Sequence, residues 1–250
     1  MTNTVQREKI SIFDSTWDIS ILNKPAPNKN QDAYAIGKNS IIAVDGATPL
    51  DTDWPSDIGD YARDIANTFV RFADNSTLST KQVWRNSFQE INAKYPKSSY
   101  KRSAGVMLAR RLENRIEFSS LGDLYGCIKF SDSYKFFHND RISKLDESID
   151  ADSVKNQLIV NRMKQNRPDG YWIFSDSDEA LNHLDYFESE IDKCVSFLIS
   201  TDGYFRDKKK DAKKIIDDIE VSGFKMPKFS GNRSVIDAPD DVTIIYALRN

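Results

Sequence analysis

Four positions along the chain place an aspartate at one end of an apolar segment. These aspartates are Asp45, Asp123, Asp202 and Asp240 or Asp241. Because a short apolar run bounded by turn residues is typical of a buried strand, the pattern predicts that several strands bring carboxylates to shared loops. A glycine follows the aspartate at two of these positions, and the backbone carbonyl of Gly46 can therefore approach a ligand closely.

Clustered carboxylates without histidine or cysteine partners predict a site for a hard divalent cation. Mg²⁺ and Mn²⁺ prefer oxygen ligands and keep several waters. Two such ions about 4 Å apart can bridge a hydroxide and bind a phosphoryl oxygen, which allows the hydrolysis of phosphate esters. The chain has no phosphate-binding Gly-Lys-Ser/Thr loop and no nucleophile elbow, and its two histidines, His138 and His183, are too few for a triad.

Period-two and helical patterns alternate along the chain. The predicted strands are residues 10–21 with a break near 14–15, 31–36, 40–45, four strands of an antiparallel meander within 104–138, 171–174, 195–201 and 242–248. The predicted helices are residues 58–72, 79–95 with a capping box at Ser79 and Gln82, 146–165, one that opens after the acidic run 175–179, and 208–219.

Composition restricts the class of protein further. The 250 residues show no linker, so we expect one domain over residues 1–250. A net charge of −3 gives no support for nucleic-acid binding, and no apolar run is long enough to cross a membrane. The N-terminus lacks the apolar core of a signal peptide, and Cys127 and Cys194 lie in apolar segments that suit buried thiols. We therefore expect a cytoplasmic monomer.

Five short motifs in a fixed order resemble those of the type 2C (PPM) metal-dependent Ser/Thr protein phosphatases, in particular a bacterial branch of that family. The motifs are Asn30-Gln31-Asp32-Ala33, Val44-Asp45-Gly46, Leu121-Gly122-Asp123, Thr201-Asp202-Gly203 and Asp240-Asp241-Val242-Thr243-Ile244. Each motif alone is weakly specific, but five in the expected order make the resemblance strong.

The resemblance implies an α+β fold, a four-layer α/β-β/α sandwich with two antiparallel sheets flanked by helices. It also implies hydrolysis of phosphoserine and phosphothreonine in proteins by a metal-bridged water at a binuclear Mn²⁺ or Mg²⁺ site, as part of signalling with a cognate Ser/Thr kinase. Asp45 and Asp202 would be catalytic. The expected metal ligands are Asp45, the Gly46 carbonyl, Asp202, Asp240 and Asp123, and the expected substrate contacts are Arg206, Lys29, Gln31 and Asp32.

Three positions depart from the family pattern. The upstream arginine that binds the substrate phosphate falls at about Pro27, so that either Lys24 or Lys29 substitutes for it or the phosphate contact is lost. The chain has Ala47-Thr48-Pro49 where a histidine often follows the first Asp-Gly pair. Arg206 stands where many members carry an aspartate for a third ion, and we therefore expect that ion to be weak or absent.

Two other interpretations of the sequence remain open. One is a catalytically weak or dead module of the same fold that binds a phosphoprotein or a regulatory partner. The other is a haloacid-dehalogenase-type phosphatase that uses Asp51-Thr52-Asp53 as its nucleophile motif. That motif lies in a loop before a proline rather than at the end of a strand, which argues against it.

Overall fold

Two antiparallel sheets pack face to face in a computed structural model that describes residues 5–13, 15–25, 30–47, 57–95, 102–148, 154–205, 212–222 and 241–250. One sheet has six strands, in the order β1 (Val5–Ile12), β2 (Ser15–Lys24), β11 (Val242–Arg249), β10 (Ser196–Ser200), β7 (Tyr125–Lys129) and β8 (Tyr134–His138). The other has five, in the order β3 (Asp32–Ile36), β4 (Ser40–Gly46), β5 (Ala104–Leu112), β6 (Arg115–Leu121) and β9 (Asp185–Glu190).

The helices within the described residues connect and cover these strands. They are α1 (Ile58–Ala73), α2 (Thr80–Lys94), α3 (Arg141–Ser148), α4 (Val154–Met163), α5 (Asp202–Phe205) and α6 (Ala212–Ser222), with two short 3-10 helices at Asp178–His183 and Ile191–Lys193. None of them is both long and apolar enough to span a bilayer, within the part of the chain that the structure describes.

Three apolar layers hold the elements together. The central layer lies between the two sheets and includes Ile41, Met107, Phe197 and Ile245. A second joins the five-stranded sheet to α1 and α2, and a third joins the six-stranded sheet to α6, where Ile216 is fully buried. The predicted α+β four-layer sandwich is confirmed, because helices cover the outer face of each antiparallel sheet.

Local sequence signals explain the start of α2. Ser79 accepts a hydrogen bond from the backbone N–H of Gln82, and the Gln82 side chain accepts one from the Ser79 backbone N–H. Two of the unpaired donors at the start of the helix are thereby satisfied, as in a capping box. The capping box and the helix predicted from residue 79 are confirmed.

The prediction of a single four-strand meander over residues 104–138 is wrong. β5 pairs with β6 and β7 pairs with β8, but β6 and β7 belong to different sheets. Gly122, with φ of +95°, lies at the crossing, where a residue with a side chain would be strained. The chain therefore passes from the five-stranded sheet to the six-stranded sheet at Gly122-Asp123, and Asp123 is one of the predicted site residues.

Three further predictions differ from the structure in the segment that links β8 to β9. Within the predicted helix 146–165 the structure has α4, while α3 ends separately at Ser148. Residues 171–174 make only isolated bridges, to Ala104 and Gln165, and no strand. The helix expected after the acidic run is a 3-10 helix, and β9 has no counterpart among the predicted elements.

Candidate functional site

The layer between the sheets changes from apolar to polar at one end. Ile41 and Ala43 face this layer, and the alternation of side chains along β4 places Asp45 on the same face two residues later. The same alternation takes β10 from Ile199 to Thr201. Both sheets therefore end their inward-facing rows with polar side chains at the same edge of the sandwich.

Asp45 and Asp32 stand opposite each other on neighbouring strands. They are direct partners in the antiparallel ladder of β3 and β4, so that both side chains project from the same face. The N–H of Gly46 donates to the Gln31 carbonyl at 3.1 Å. A Cβ at Gly46 would lie 2.4 Å from that carbonyl oxygen, and only glycine therefore fits beside Asp45.

Gly105 lies close to two of the predicted metal ligands. It is the ladder partner of Asp45 on β5, and a Cβ at Gly105 would lie 2.5 Å from Leu124 Cδ1, 3.6 Å from Asp45 Cβ and 3.7 Å from Asp123 Oδ1. The strained turn at Gly122 packs against it, because a Cβ at Gly122 would come within 2.7 Å of Gly105 Cα. Asp45 and Asp123 therefore both lie close to Gly105.

Asp32 links the two sheets at this polar edge. The hydroxyl of Thr201 donates to Asp32 Oδ2 at 2.8 Å, and its oxygen accepts from the Thr243 N–H at 3.0 Å. The N–H of Gln31 donates to Asp241 Oδ2 at 2.8 Å. These contacts join β3 to the segments that carry Asp202 and Asp241, and they fix the positions of those segments.

The electrostatics of Asp32 show that negative charge is concentrated here. Burial raises the pKa of the Asp32 carboxyl well above its usual range, and the charges of Asp241 and Asp202 raise it further, against the hydrogen bond from Thr201. Two carboxylates that act on a buried third carboxyl leave an excess of negative charge, which a cation would neutralise.

His138 lies beside the Gly122-Asp123 turn. Its ring stacks on Tyr125, with the ring centroids 3.8 Å apart, and its Nδ1 lies 3.4 Å from the Leu124 carbonyl oxygen. Burial lowers the pKa of His138, and the charge of Asp202 acts in the opposite direction. His138 had no role in the sequence prediction, since a lone histidine on a strand has no local signal.

The predicted site residues are only partly covered by the structure. The residues brought to the polar edge are Asp45, Gly46, Asp202, Asp123, Gln31 and Asp32, with Asp241 beside them. Asp240, Arg206 and Lys29 lie outside the described residues, as do Asp51 and Asp53 of the alternative nucleophile motif. The predicted roles of all these residues remain predictions.

The donor chemistry fits a hard divalent cation. The carboxylates of Asp32, Asp45 and Asp123 and the hydroxyl of Thr201 supply oxygen atoms at this edge. Within the described residues no three His, Cys, Asp or Glu side chains form a group that could hold a metal ion. The predicted ligand set also needs Asp240, which is not among those residues.

Two residues at this edge were missed by the sequence prediction. Gly105 interrupts an apolar strand, and a glycine inside a strand pattern signals the close approach of another group. Ser103 is fully buried before β5, and its carbonyl accepts from the Ala47 N–H at 3.0 Å. That contact has no local sequence signal, because it depends on the pairing of β4 with β5.

Comparison by sequence and by structure gives different results. No protein-family model matches the chain, and no curated protein matches it. The serine/threonine phosphatase PstP of Mycobacterium tuberculosis matches in structure with a TM-score of 0.63 and 12% identity, over 94% of this chain and 99% of that one. Stp1 of Staphylococcus aureus matches with a TM-score of 0.60 and 12% identity over 100% of both chains.

A third solved structure carries metal ions. The catalytic domain of PstP in complex with two manganese ions matches with a TM-score of 0.58 and 12% identity, over 93% of this chain and 97% of that one. A likeness at such low identity shows the fold, and the matched chains are covered almost completely. The chain therefore has the fold of the PPM-type Ser/Thr protein phosphatases, which the order of its five motifs predicted.

Proposed function

We propose that the chain is a metal-dependent phosphatase that hydrolyses phosphoserine and phosphothreonine in proteins. The observation that carries the proposal is the meeting of carboxylates from both sheets at one polar edge, with Asp32 and Asp45 from one and Asp202 and Asp241 from the other. A phosphoprotein substrate and a Ser/Thr kinase that acts on the same proteins are the partners implied, in the cytoplasm.

Asp45, the Gly46 carbonyl, Asp202 and Asp240 are the proposed ligands of two Mn²⁺ or Mg²⁺ ions. Two bound divalent cations would activate the attacking water and neutralise charge on the phosphoryl oxygens. Gly46 has no side chain, so its backbone carbonyl can approach a bound ion closely. Its Cα packs against the Gln31 carbonyl and leaves no room for a side chain. Asp123, across Gly105 from Asp45, is the proposed ligand of a third, weak site.

The chain's own residues have two further tasks. Asp32, held by Thr201, keeps the β3–β4 hairpin in place against the segment that starts with Asp202, so that the carboxylates of both sheets stay aligned. Gln31, Asp32, Lys29 and Arg206 are the proposed contacts to substrate. An arginine suits that role because its planar fork can bind two phosphate oxygens.

A binding module without activity is the second candidate, and one observation favours it. Ala47 follows Gly46 where a histidine often stands in the family. On this alternative, phosphoprotein would bind at the polar edge without being hydrolysed. The two candidates differ in turnover and agree in binding, so that a kinetic experiment separates them.

The experiment is hydrolysis of p-nitrophenyl phosphate and of a phosphothreonine peptide by the full chain, with Mn²⁺, with Mg²⁺ and with excess chelator. We expect turnover with either cation and none with chelator, because sites made only of oxygen ligands bind these ions modestly. Asp132→Asn on the exposed surface is the matched control for substitution at Asp45. Full activity in chelator would exclude the metal mechanism, and no turnover with either cation would favour the binding module.

A further inference from the structure

The inward face of the six-stranded sheet changes from apolar to polar in one step along three neighbouring strands. Ile21, Ile245 and Ile199 are ladder partners across β2, β11 and β10, and all three lie in the central apolar layer. Because side chains alternate between the two faces of a strand, the residues two positions further on share this inward face. They form the next row across the three strands, here called the polar row, which consists of Asn23, Thr243 and Thr201.

The three side chains of the polar row differ in their partners. Thr201 donates to Asp32 Oδ2 at 2.8 Å, across the layer between the sheets. The Thr243 hydroxyl oxygen and Asn23 Oδ1 are both buried, and among the described residues neither has a hydrogen-bond partner. Thr243 is fully buried as a whole residue. A buried polar atom without a partner costs free energy, so that two of them on neighbouring strands indicate a bound group that satisfies both.

Both of these oxygens lie on the side of the sheet that faces Asp32. Asn23 and Thr243 are direct ladder partners, so that their Cβ atoms lie about 4.5–5.5 Å apart and their side chains project from the same face. Burial raises the pKa of Asp32, and the hydroxyl groups of Thr201 and Thr243 oppose this shift, which places the Thr243 hydroxyl close to the Asp32 carboxyl. Asn23, Thr243 and Asp32 therefore border one position at the polar end of the layer.

The chemistry of this position favours a water molecule as its occupant. The side-chain oxygen of asparagine only accepts hydrogen bonds, whereas a hydroxyl group and a water molecule both donate and accept. A buried water makes about three hydrogen bonds to groups that would otherwise lack a partner, and Asn23, Thr243 and Asp32 provide that number. A divalent cation such as Ca²⁺ takes about six to eight oxygen ligands, which is more than these three side chains provide.

We propose that Asn23 and Thr243 bind one ordered water that bridges to Asp32 across the layer, and that Asn23 is thereby a positioning residue for the carboxylates of the polar edge. The water donates one O–H to Asn23 Oδ1 and the other to Asp32, and it accepts from the Thr243 hydroxyl. Asp32 is the ladder partner of Asp45, so that a fixed β3 also fixes the strand that carries Asp45. The positioning role rests on the proposed function, whereas the water site does not.

A crystal structure of the metal-free full chain tests the water site. We expect one density peak within about 3.2 Å of Asn23 Oδ1, of the Thr243 hydroxyl oxygen and of an Asp32 oxygen. A direct hydrogen bond from another protein group to Asn23 Oδ1, with no peak between the three side chains, would overturn the proposal. An anomalous signal at the peak in crystals grown with RbCl would identify a monovalent cation and would also overturn it.

A double-mutant cycle of Asn23→Leu and Thr243→Val, followed by urea denaturation in chelator, tests the bridge in solution. Each single variant should lower the denaturation midpoint, because the remaining oxygen then keeps a poorly bound water. The double variant should lose less than the sum of the two single losses, because both polar atoms are removed together. Ile21→Val and Ile245→Val are the matched control, since these residues are the ladder partners one row earlier. If Asn23 and Thr243 are coupled no more strongly than this apolar pair, the water bridge is refuted.

Isothermal titration calorimetry with Mn²⁺ tests the positioning role without reference to turnover. We expect Asn23→Leu to weaken Mn²⁺ binding about tenfold, which is the lower end of the effect of residues that hold metal ligands in place. Ile21→Val should keep the affinity of wild type. Equal affinities for wild type and Asn23→Leu would refute the positioning role. A wild-type chain that binds no Mn²⁺ would contradict the proposed metal site and this role together, while the crystal structure and the double-mutant cycle would still decide the water site.

Discussion

The two ends of the layer between the sheets both involve strand β10 but differ in chemistry. At one end Phe13, Trp17 and Phe197 pack with ring centroids 5.5–6.2 Å apart, and all three are buried. At the other end Asp32 and Thr201 occupy inward-facing positions and are also buried. The aromatic end stabilises the fold by removing apolar surface from water, while the polar end buries groups that carry a desolvation cost.

This difference separates stability from function within a single layer. Strand alternation alone would continue the apolar row to both ends, and the chain departs from it where β3 begins at Asp32, where β4 reaches Asp45 and where β10 reaches Thr201. A local departure from the rule of apolar burial is expected at a functional site, where the rest of the fold compensates for it. Substitutions at the aromatic end should therefore mainly lower the free energy of unfolding. Substitutions of the proposed metal ligands at the polar end should mainly lower turnover.

Trp17→Ala should have the largest effect on stability. Removal of a fully buried indole from the aromatic end should lower the free energy of unfolding by about 3–5 kcal/mol, because the cavity is only partly refilled. Urea denaturation measures this change, and Trp17→Phe should retain most of the stability. A loss as small as that of an exposed substitution would contradict the assignment of this end as the stabilising one.

Asp45→Asn should lower turnover and have little effect on stability. Loss of the carboxylate proposed to bridge two cations should lower turnover at saturating Mn²⁺ about a hundredfold or more, which is about 2.7 kcal/mol in the activation barrier. The denaturation midpoint of the metal-free protein should stay close to that of wild type. Near-native turnover would show that Asp45 does not have the bridging role.

Thr201→Val should weaken the connection between the sheets at the polar edge. The substitution leaves Asp32 Oδ2 and the Thr243 N–H without this partner, and should cost about 1–3 kcal/mol of unfolding free energy. Thr201→Ser, which keeps the hydroxyl, should recover most of that loss. If valine and serine are equally stable at this position, the hydrogen bonds do not hold the edge together.

Asp32→Asn should have the smallest effect, and its sign depends on pH. Because the pKa of Asp32 is raised, the folded chain keeps this proton at pH values where the unfolded chain has lost it. Stability from this group is therefore present at low pH and is lost as pH rises through the folded pKa. The stability of Asp32→Asn relative to wild type should increase between pH 4 and pH 8 in chelator, as measured by urea denaturation.

A pH-independent difference between these two proteins would contradict a raised pKa at Asp32. Asp192→Asn, at an exposed carboxylate paired with Arg249, is a suitable control for the general effect of removing a charge. The difference between wild type and Asp192→Asn is the baseline against which the difference for Asp32→Asn is compared.

The sequence could predict those parts of the fold whose signals are local. The capping box at Ser79, the amphipathic pattern of α1 and the β3–β4 hairpin depend on neighbouring residues, and all are confirmed. Strand β9 could not be found in this way. It is an edge strand with mostly exposed residues, so that its acidic sequence carries no burial pattern.

The carboxylates of the candidate site could be predicted from the sequence, but the contacts that hold them in position could not. An Asp-Gly pair after an apolar run is visible in the sequence, whereas the contact of Ser103 with Ala47 depends on strand register. The meander predicted over residues 104–138 needs only a tight turn at Gly122, and a glycine followed by an aspartate fits either a turn or a crossing between sheets. Which sheet the next strand joins is decided by tertiary packing, and no local pattern records it.

The most direct test of the central claim is a crystal structure of the full chain soaked in Mn²⁺, with anomalous scattering recorded at the manganese edge. We expect two peaks within ligand distance of Asp45, one of them also near the Gly46 carbonyl and the other near Asp202, and no third ion on Asp123. Absence of any peak at Asp45 would contradict the assignment of the polar edge as a metal site. A well-occupied third ion on Asp123 would contradict the effect expected from Arg206.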